Sequence, residues 1–251
     1  MSQFKYTRPD SFPPIVKNLI IINVLVFVAQ LTLGITDKLM LYPLLPEAVL
    51  DRLQEANIKE FANGSLFQPY QIATHMFSHS PSMIFHIVFN MFALWMFGRV
   101  LENVWGPQRF LLFYFLCGIG SAALHLIIQY ISVQNILQFS ASEINSGLGM
   151  GNPEVVKSVM GAAVGALGAS GAVMGILVGF AFLFPNTELF IMFIPFPIKA
   201  KWLVLGYIAI DLFGGFGVYN SNIAHFAHLG GALTGFIIVL IWNKKNKRHF
   251  Y

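Results

Sequence analysis

The sequence predicts an all-α, polytopic membrane protein: a bundle of six transmembrane helices with both termini on the cytoplasmic side. Three observations predict it. Hydrophobic residues make up 56% of the 251 and charged residues only 10%, where a soluble domain carries roughly 25% charged. Six segments approach the about 20 apolar residues that crossing the hydrocarbon layer requires, at 15–34, 82–101, 109–132, 168–185, 202–218 and 225–243. Threading six spans from a cytoplasmic start puts eleven of the 15 Lys and Arg inside, namely Lys5, Arg8, Lys17, Arg99, Arg109, Lys199, Lys201, Lys244, Lys245, Lys247 and Arg248. Only Lys38, Arg52, Lys59 and Lys157 fall outside, the bias that marks cytoplasmic loops.

Taken in order, residues 1–14 form a polar tail. The first span exceeds a signal-peptide core and has no small-residue cleavage site, so it is expected to stay as an anchor. The first outer loop, 35–81, carries a short helix in PEAVLDRLQEANIKEFA with Pro46 near its start, then FQPYQIATHMFSHSP, apolar enough to lie in the membrane interface. A second outer loop, 133–167, contains Asn152-Pro153-Glu154, a helix start with Asn as cap and Pro in the first turn; its role is not legible. The fourth and fifth spans are short and interrupted by Gly and Pro. LFIMFIPFPI at 189–198 carries Pro195 and Pro197, which suit a re-entrant or interfacial connector better than a seventh span. Residues 244–251 form a second cytoplasmic tail, and the whole of 1–251 reads as one membrane domain with a core at about 65–243.

The net charge of +4 does not point to nucleic acid. Lys244, Lys245, Lys247 and Arg248 directly follow an apolar span, the pattern of a cytoplasmic flank. Cys117 is the single cysteine, so an internal disulfide is excluded.

Polar side chains inside spans are costly and therefore informative. HIVFN at 86–90, GASG at 168–171 and HLGGALTG at 228–235 lie near the same end of spans two, four and six, which run in one direction. His86, Ser170 and His228 are thus expected at one depth below the outer face. Ser170 opens a span, where free backbone N–H groups and the helix dipole favour negative charge, as an oxyanion requires. The alternative is a packing face, since Gly171, Gly175 and Gly179 recur every four residues. Serine needs a base. From His228, the small residues Ala224, Gly231, Ala232 and Gly235 lie along one face that allows close helix approach, whereas Leu229 and Phe236 beside His225 hold a partner away. The other reading of His228 is a buried histidine bonded to a carbonyl. His86 and Asn90, four apart, share a face and can aim two donors at one spot, or simply bond helices together.

Together, His86-x-x-x-Asn90, Gly168-Ala169-Ser170-Gly171 and Ala227-His228 followed by Gly231 and Gly235 resemble the rhomboid family of intramembrane serine proteases, over roughly 65–243. The resemblance implies Ser170 as nucleophile, His228 as base of a two-residue dyad, and His86, Asn90 and the Ser170 backbone N–H as oxyanion donors. It also implies membrane-protein substrates, cut in or beside a transmembrane helix near the outer face, and no cofactor or metal. His75, His79 and the Gly98-x-x-x-Glu102 step are family-like. Tyr70-Gln71 stand where members often carry Trp-Arg, a departure that concerns loop anchoring. Asp211, the only acid well inside a span, reads as a structural polar group.

Other classes remain open. His75/His79 and His225/His228 have metal-ligand spacing, yet HMFSH lacks the glutamate of a zinc protease. A transporter or channel, or a catalytically silent binder of transmembrane helices, would also place polar groups in the bundle. Without a transit-like presequence, a bacterial plasma membrane is the expected host.

Overall fold

Proline and glycine mark several of the helix ends. The structure is a computed structural model describing residues 10–59, 66–163, 165–190, 196–215 and 224–246. The ends of both tails, the close of the fifth predicted span and Pro195 lie outside the described residues. Helix α1 (Pro14–Leu33) starts with proline in its first turn and stops at Gly34, whose φ of 63° only glycine adopts cheaply. Its first N–H groups are capped from a distance. The Glu102 carboxylate accepts from Ile15 N at 2.9 Å and Val16 N at 2.8 Å, so a nearly fully buried acid is satisfied by the positive end of a helix rather than by a cation.

A nine-residue helix, α2 (Glu47–Glu55), forms in the first outer loop, with Pro46 at its N-cap as expected. Helix α3 (Ile84–Trp105) is interrupted by a π turn at Leu94–Gly98 and ends at Gly106, φ 81°, before Pro107 restarts the chain as α4 (Pro107–Val133).

The second outer loop is helical. Helix α5 (Ala141–Met150) has a reciprocal cap, Glu143 N–H to Ser140 Oγ at 3.3 Å and Ser140 N–H to Glu143 Oε2 at 2.7 Å. Helix α6 (Pro153–Ala163) is capped by Asn152, whose Oδ1 accepts from Glu154 N at 3.0 Å. The loop's role now has a physical answer. Val155, Val159 and Ala162 of α6 and Ile144 of α5 bury against Val49 and Leu53 of α2, Ala56 just beyond it, and Val133 and Ile136. The Arg52 side chain donates to the Phe139 carbonyl across the same joint. The two outer loops thereby share a small hydrophobic core of their own.

Helix α7 (Ser170–Leu183) is buried on nearly all sides, as a helix with no polar face should be. Beyond it, β1 (Glu188–Leu189) and β2 (Ile198–Lys199) pair antiparallel, Glu188 opposite Lys199, at the two ends of the predicted connector. Helices α8 (Ala200–Gly215) and α9 (Ala224–Asn246) complete the chain. Among the described residues, four helices are long and apolar enough to cross a membrane, Pro14–Leu33, Ile84–Trp105, Pro107–Gln138 and His225–Lys244, and Ser170–Leu183 is a shorter apolar one. Phe85, Val88, Phe89 and Phe92 on α3 and Trp202, Leu205 and Ile210 on α8 are exposed, a surface suited to lipid and not to water.

Candidate active site

Glycines decide how closely the central helices approach. A Cβ on Gly231 would sit 1.8 Å from the Gly171 carbonyl oxygen, and one on Gly235 would lie 2.8 Å from the Gly175 Cα. On its other flank α7 meets α4: a Cβ on Gly171 would strike Ser121 Oγ at 2.0 Å, and one on Gly175 would strike Cys117 Sγ at 2.4 Å. Helices α7 and α9 therefore touch backbone to backbone, the contact that small residues at four-residue spacing permit. Because the obstacle at Gly231 is main chain, which cannot rotate away, Gly231→Ala is expected to cost about 3 kcal/mol or more. Gly206→Ala, with nothing within 4 Å of the added carbon, is expected to be neutral or mildly stabilising. Thermal unfolding in detergent, read side by side for the two variants, checks both.

That close contact brings the predicted residues together. Ser170, the first residue of α7, places Oγ 2.8 Å from Nε2 of His228, which is one turn into α9. The segment before Ser170 is tied down at two points: Ala166 pairs with Leu41 through hydrogen bonds of 2.8 Å in both directions, and Gly168 N–H donates to the His75 carbonyl at 2.9 Å. Gly168 has φ 129°, and a Cβ there would stand 2.9 Å from His86 Nε2 and 3.4 Å from Ser170 Oγ. His86 and Ser170 thus border the same small space, kept open by a missing side chain.

The His86 tautomer follows from its partner. Ser80 N–H donates to His86 Nδ1 at 3.3 Å, so Nδ1 is the acceptor and Nε2, facing the site, carries the proton. Asn90 is placed otherwise than the expectation of a freely aimed donor: its Nδ2 donates to the His86 carbonyl at 2.7 Å in its own helix, which leaves one amide hydrogen over.

Asp211 departs furthest from expectation. Read from the sequence as a structural polar group, it places its carboxylate, 3% exposed, between two histidines. His228 Nδ1 lies 3.1 and 3.2 Å from the two carboxylate oxygens and His225 Nδ1 lies 2.6 Å from Oδ1. An ionised carboxylate only accepts, so each ring donates through Nδ1–H, and His228 Nε2 is left as the acceptor facing Ser170. The signal that would have found Asp211 is its face: Ala200, Val204, Asp211 and Gly214 are the buried positions of α8, at helical spacing.

The first outer loop is anchored by side-chain amides. Gln71 Oε1 accepts from Gln68 N at 3.0 Å and Tyr42 N at 3.3 Å, and Gln30 at the end of α1 clasps Ser78 Oγ at 2.8 Å and both backbone groups of His79. Gln71 thus supplies anchoring without the Trp-Arg pair. In this loop, burial pushes the His75 and His79 imidazoles down to about 4, and the nearby His86 adds to the effect at His79. Both rings are neutral near pH 7, and His75 donates Nδ1–H to the Gln71 carbonyl at 2.9 Å.

Comparison with known proteins bears on the same residues. The profile of the Rhomboid domain matches residues 66–245. The chain is 30% identical over 194 residues to RHOMBOID-like protein 12, mitochondrial, of Arabidopsis thaliana, covering 77% of this chain and 51% of that protein. It is 29% identical over 206 residues to the presenilin-associated rhomboid-like protein, mitochondrial, of Homo sapiens, covering 77% and 45%. It is 25% identical over 200 residues to Rhomboid protease AarA of Providencia stuartii, covering 74% and 60%. The chain spans about half the length of the first two relatives.

Proposed function

We propose, since the chain belongs to the rhomboid family, that it is an intramembrane serine endopeptidase acting on transmembrane segments of other proteins. The observation that carries the reading is the 2.8 Å contact between Ser170 Oγ and His228 Nε2, within proton-transfer reach. Ser170 Oγ attacks the scissile carbonyl carbon and its proton passes to His228 Nε2. The resulting imidazolium is held through Nδ1–H by the Asp211 carboxylate, so the site works as Ser170–His228–Asp211 rather than as a dyad alone. The tetrahedral oxyanion is received by the Ser170 N–H at the start of α7, by His86 Nε2–H and by the remaining amide hydrogen of Asn90. Collapse expels the amine, which takes the proton from His228. Water then repeats the sequence on the acyl-enzyme, with His228 again as base, and frees the acid and Ser170.

Membrane placement supports this chemistry. Helix α7 has 14 residues, about 21 Å at 1.5 Å per residue, where the hydrocarbon layer is roughly 30 Å. In the six-span arrangement with cytoplasmic termini that the charge bias favours, Ser170 sits below the outer surface, and the water that hydrolysis consumes must reach it from that side. A substrate helix must unwind there, since a helical backbone is shielded by its own hydrogen bonds. The protein is an integral, multi-pass membrane protein. A bacterial plasma membrane, the host of our sequence reading, has a bacterial relative in its favour and mitochondrial names among the other relatives against it; localisation of the tagged protein separates the two.

A fluorophosphonate probe tests the assignment on the detergent-solubilised, folded protein. One adduct mapped to Ser170 by peptide mass spectrometry is expected. A folded protein that stays unlabelled would leave the silent helix binder as the better reading, and substrate flux in liposomes without any cleavage would favour the transporter.

A further inference from the structure

We propose that His225, His228 and Asp211 form a binding site for a zinc ion that switches the Ser170 site off. The three offer one ligand atom each, two imidazole nitrogens and a carboxylate oxygen, all within 4.8 Å of one another. This donor set, two histidines and one acid with a fourth position left for water, is that of an open tetrahedral zinc site. Ligand atoms around a tetrahedral zinc, each about 2.0–2.2 Å from the metal, lie about 3.3 Å apart. The carboxylate Oδ1 is already 2.6 Å from one Nδ1 and 3.1 Å from the other. Taking up the ion requires the His225 contact to open toward the tetrahedral spacing and the two nitrogens to settle at it, from a starting arrangement in which all three atoms lie within 4.8 Å of one another. The site is also reachable: the His225 and His228 side chains are 23% and 24% exposed, while Asp211 beneath them is 3% exposed.

Nothing in the proposed peptide-bond chemistry calls for His225. Ser170 requires one base and that base requires one carboxylate. A second imidazole, turned so that the same type of nitrogen meets the same carboxylate oxygen, makes a three-pronged cradle out of what would otherwise be a simple pair.

The consequence for catalysis follows from proton position. With no metal, His228 carries its proton on Nδ1, toward Asp211, and Nε2 accepts from Ser170. Zinc on Nδ1 occupies the lone pair there and moves the ring proton to Nε2. No proton is gained or lost by His228; it changes tautomer. Nε2–H then donates to Ser170 Oγ and cannot take its proton, and Asp211 is held by the metal. Inhibition rests on the protease reading given above, but binding of the ion does not.

The test therefore reads both. Zinc binding to the detergent-solubilised full chain carrying Ser170→Ala is measured by equilibrium dialysis with elemental analysis, and again with His225→Asn added, which keeps a donor for Asp211 but removes a ligand. A single ion per chain is expected, with affinity weakened about 10–100-fold or more by the asparagine. In parallel, zinc should suppress fluorophosphonate labelling of Ser170 in the wild type, reversibly on adding a chelator. The zinc concentration needed should rise by a similar factor in His225→Asn, each variant being normalised to its own metal-free labelling. Absence of bound zinc, or binding that His225→Asn leaves unchanged, overturns the site. Binding that depends on His225 while labelling stays unaffected overturns the switch. Failure of labelling without zinc counts against the protease reading alone.

Discussion

Ser170→Ala is expected to reduce cleavage of a transmembrane substrate in proteoliposomes to background, a loss on the order of 10⁴-fold or greater. The same loss is expected for His228→Ala, and the double variant should be no worse than either. The non-additivity is the informative part: the hydroxyl and the imidazole act as one unit across 2.8 Å, so removing either removes the activated nucleophile. Folding should survive in Ser170→Ala, because the polar atom removed has His228 as its hydrogen-bond partner and truncating one such pair costs about 1 kcal/mol. Thermal unfolding lowered by no more than about 2–4 °C, together with absent cleavage, is the expected pair of results. Cleavage retained above about a tenth of wild type would reject the nucleophile assignment, since an oxyanion site without its nucleophile leaves far less.

The helices of this site were legible because membrane insertion leaves a coarse signal: long apolar runs, cationic flanks and costly polar residues at one depth. His228 could be preferred to His225 from the spacing of small residues, since Gly231 and Gly235 mark a face of its helix on which another backbone can come close, as Gly171 and Gly175 do beside Ser170. What the sequence could not supply was partnership between amphipathic segments. Val49, Leu53 and Ala56 in one loop and Val155, Val159 and Ala162 in the other each announce an apolar face, yet any two such faces would fit one another by pattern. The same limit hid Asp211. Its distance from His228 along the chain carries no periodic relation, because the two sit on separate helices whose relative rotation is set by packing. Glu102 is a parallel case: its family-like spacing from Gly98 was visible, but that it caps α1, 87 and 86 residues earlier in the chain, was not.

Asp211→Asn is expected to lower kcat by about 10²–10⁴-fold with little change in KM, the upper figure being the loss of about 10⁴-fold that follows when the carboxylate of a serine–histidine–aspartate site loses its charge. The argument is one of tautomers as much as of charge. An asparagine amide turned toward His228 Nδ1 presents N–H groups and favours the ring form with its proton on Nε2, in which the base faces Ser170 already protonated. If the amide oxygen faces His228 instead, the tautomer is right but the imidazolium formed during attack lies beside a neutral group in a low-dielectric site. Either orientation raises the barrier. Because Asp211 is 3% exposed and bonded to two rings, Asp211→Ala also strands two donors, so the isosteric asparagine is the cleaner probe. Steady-state cleavage in proteoliposomes decides it. A loss smaller than about tenfold with the fold intact would mean that Ser170 and His228 work as a dyad and that the carboxylate merely holds α8 to α9; a loss in the stated range assigns Asp211 to the orientation and charge balance of His228.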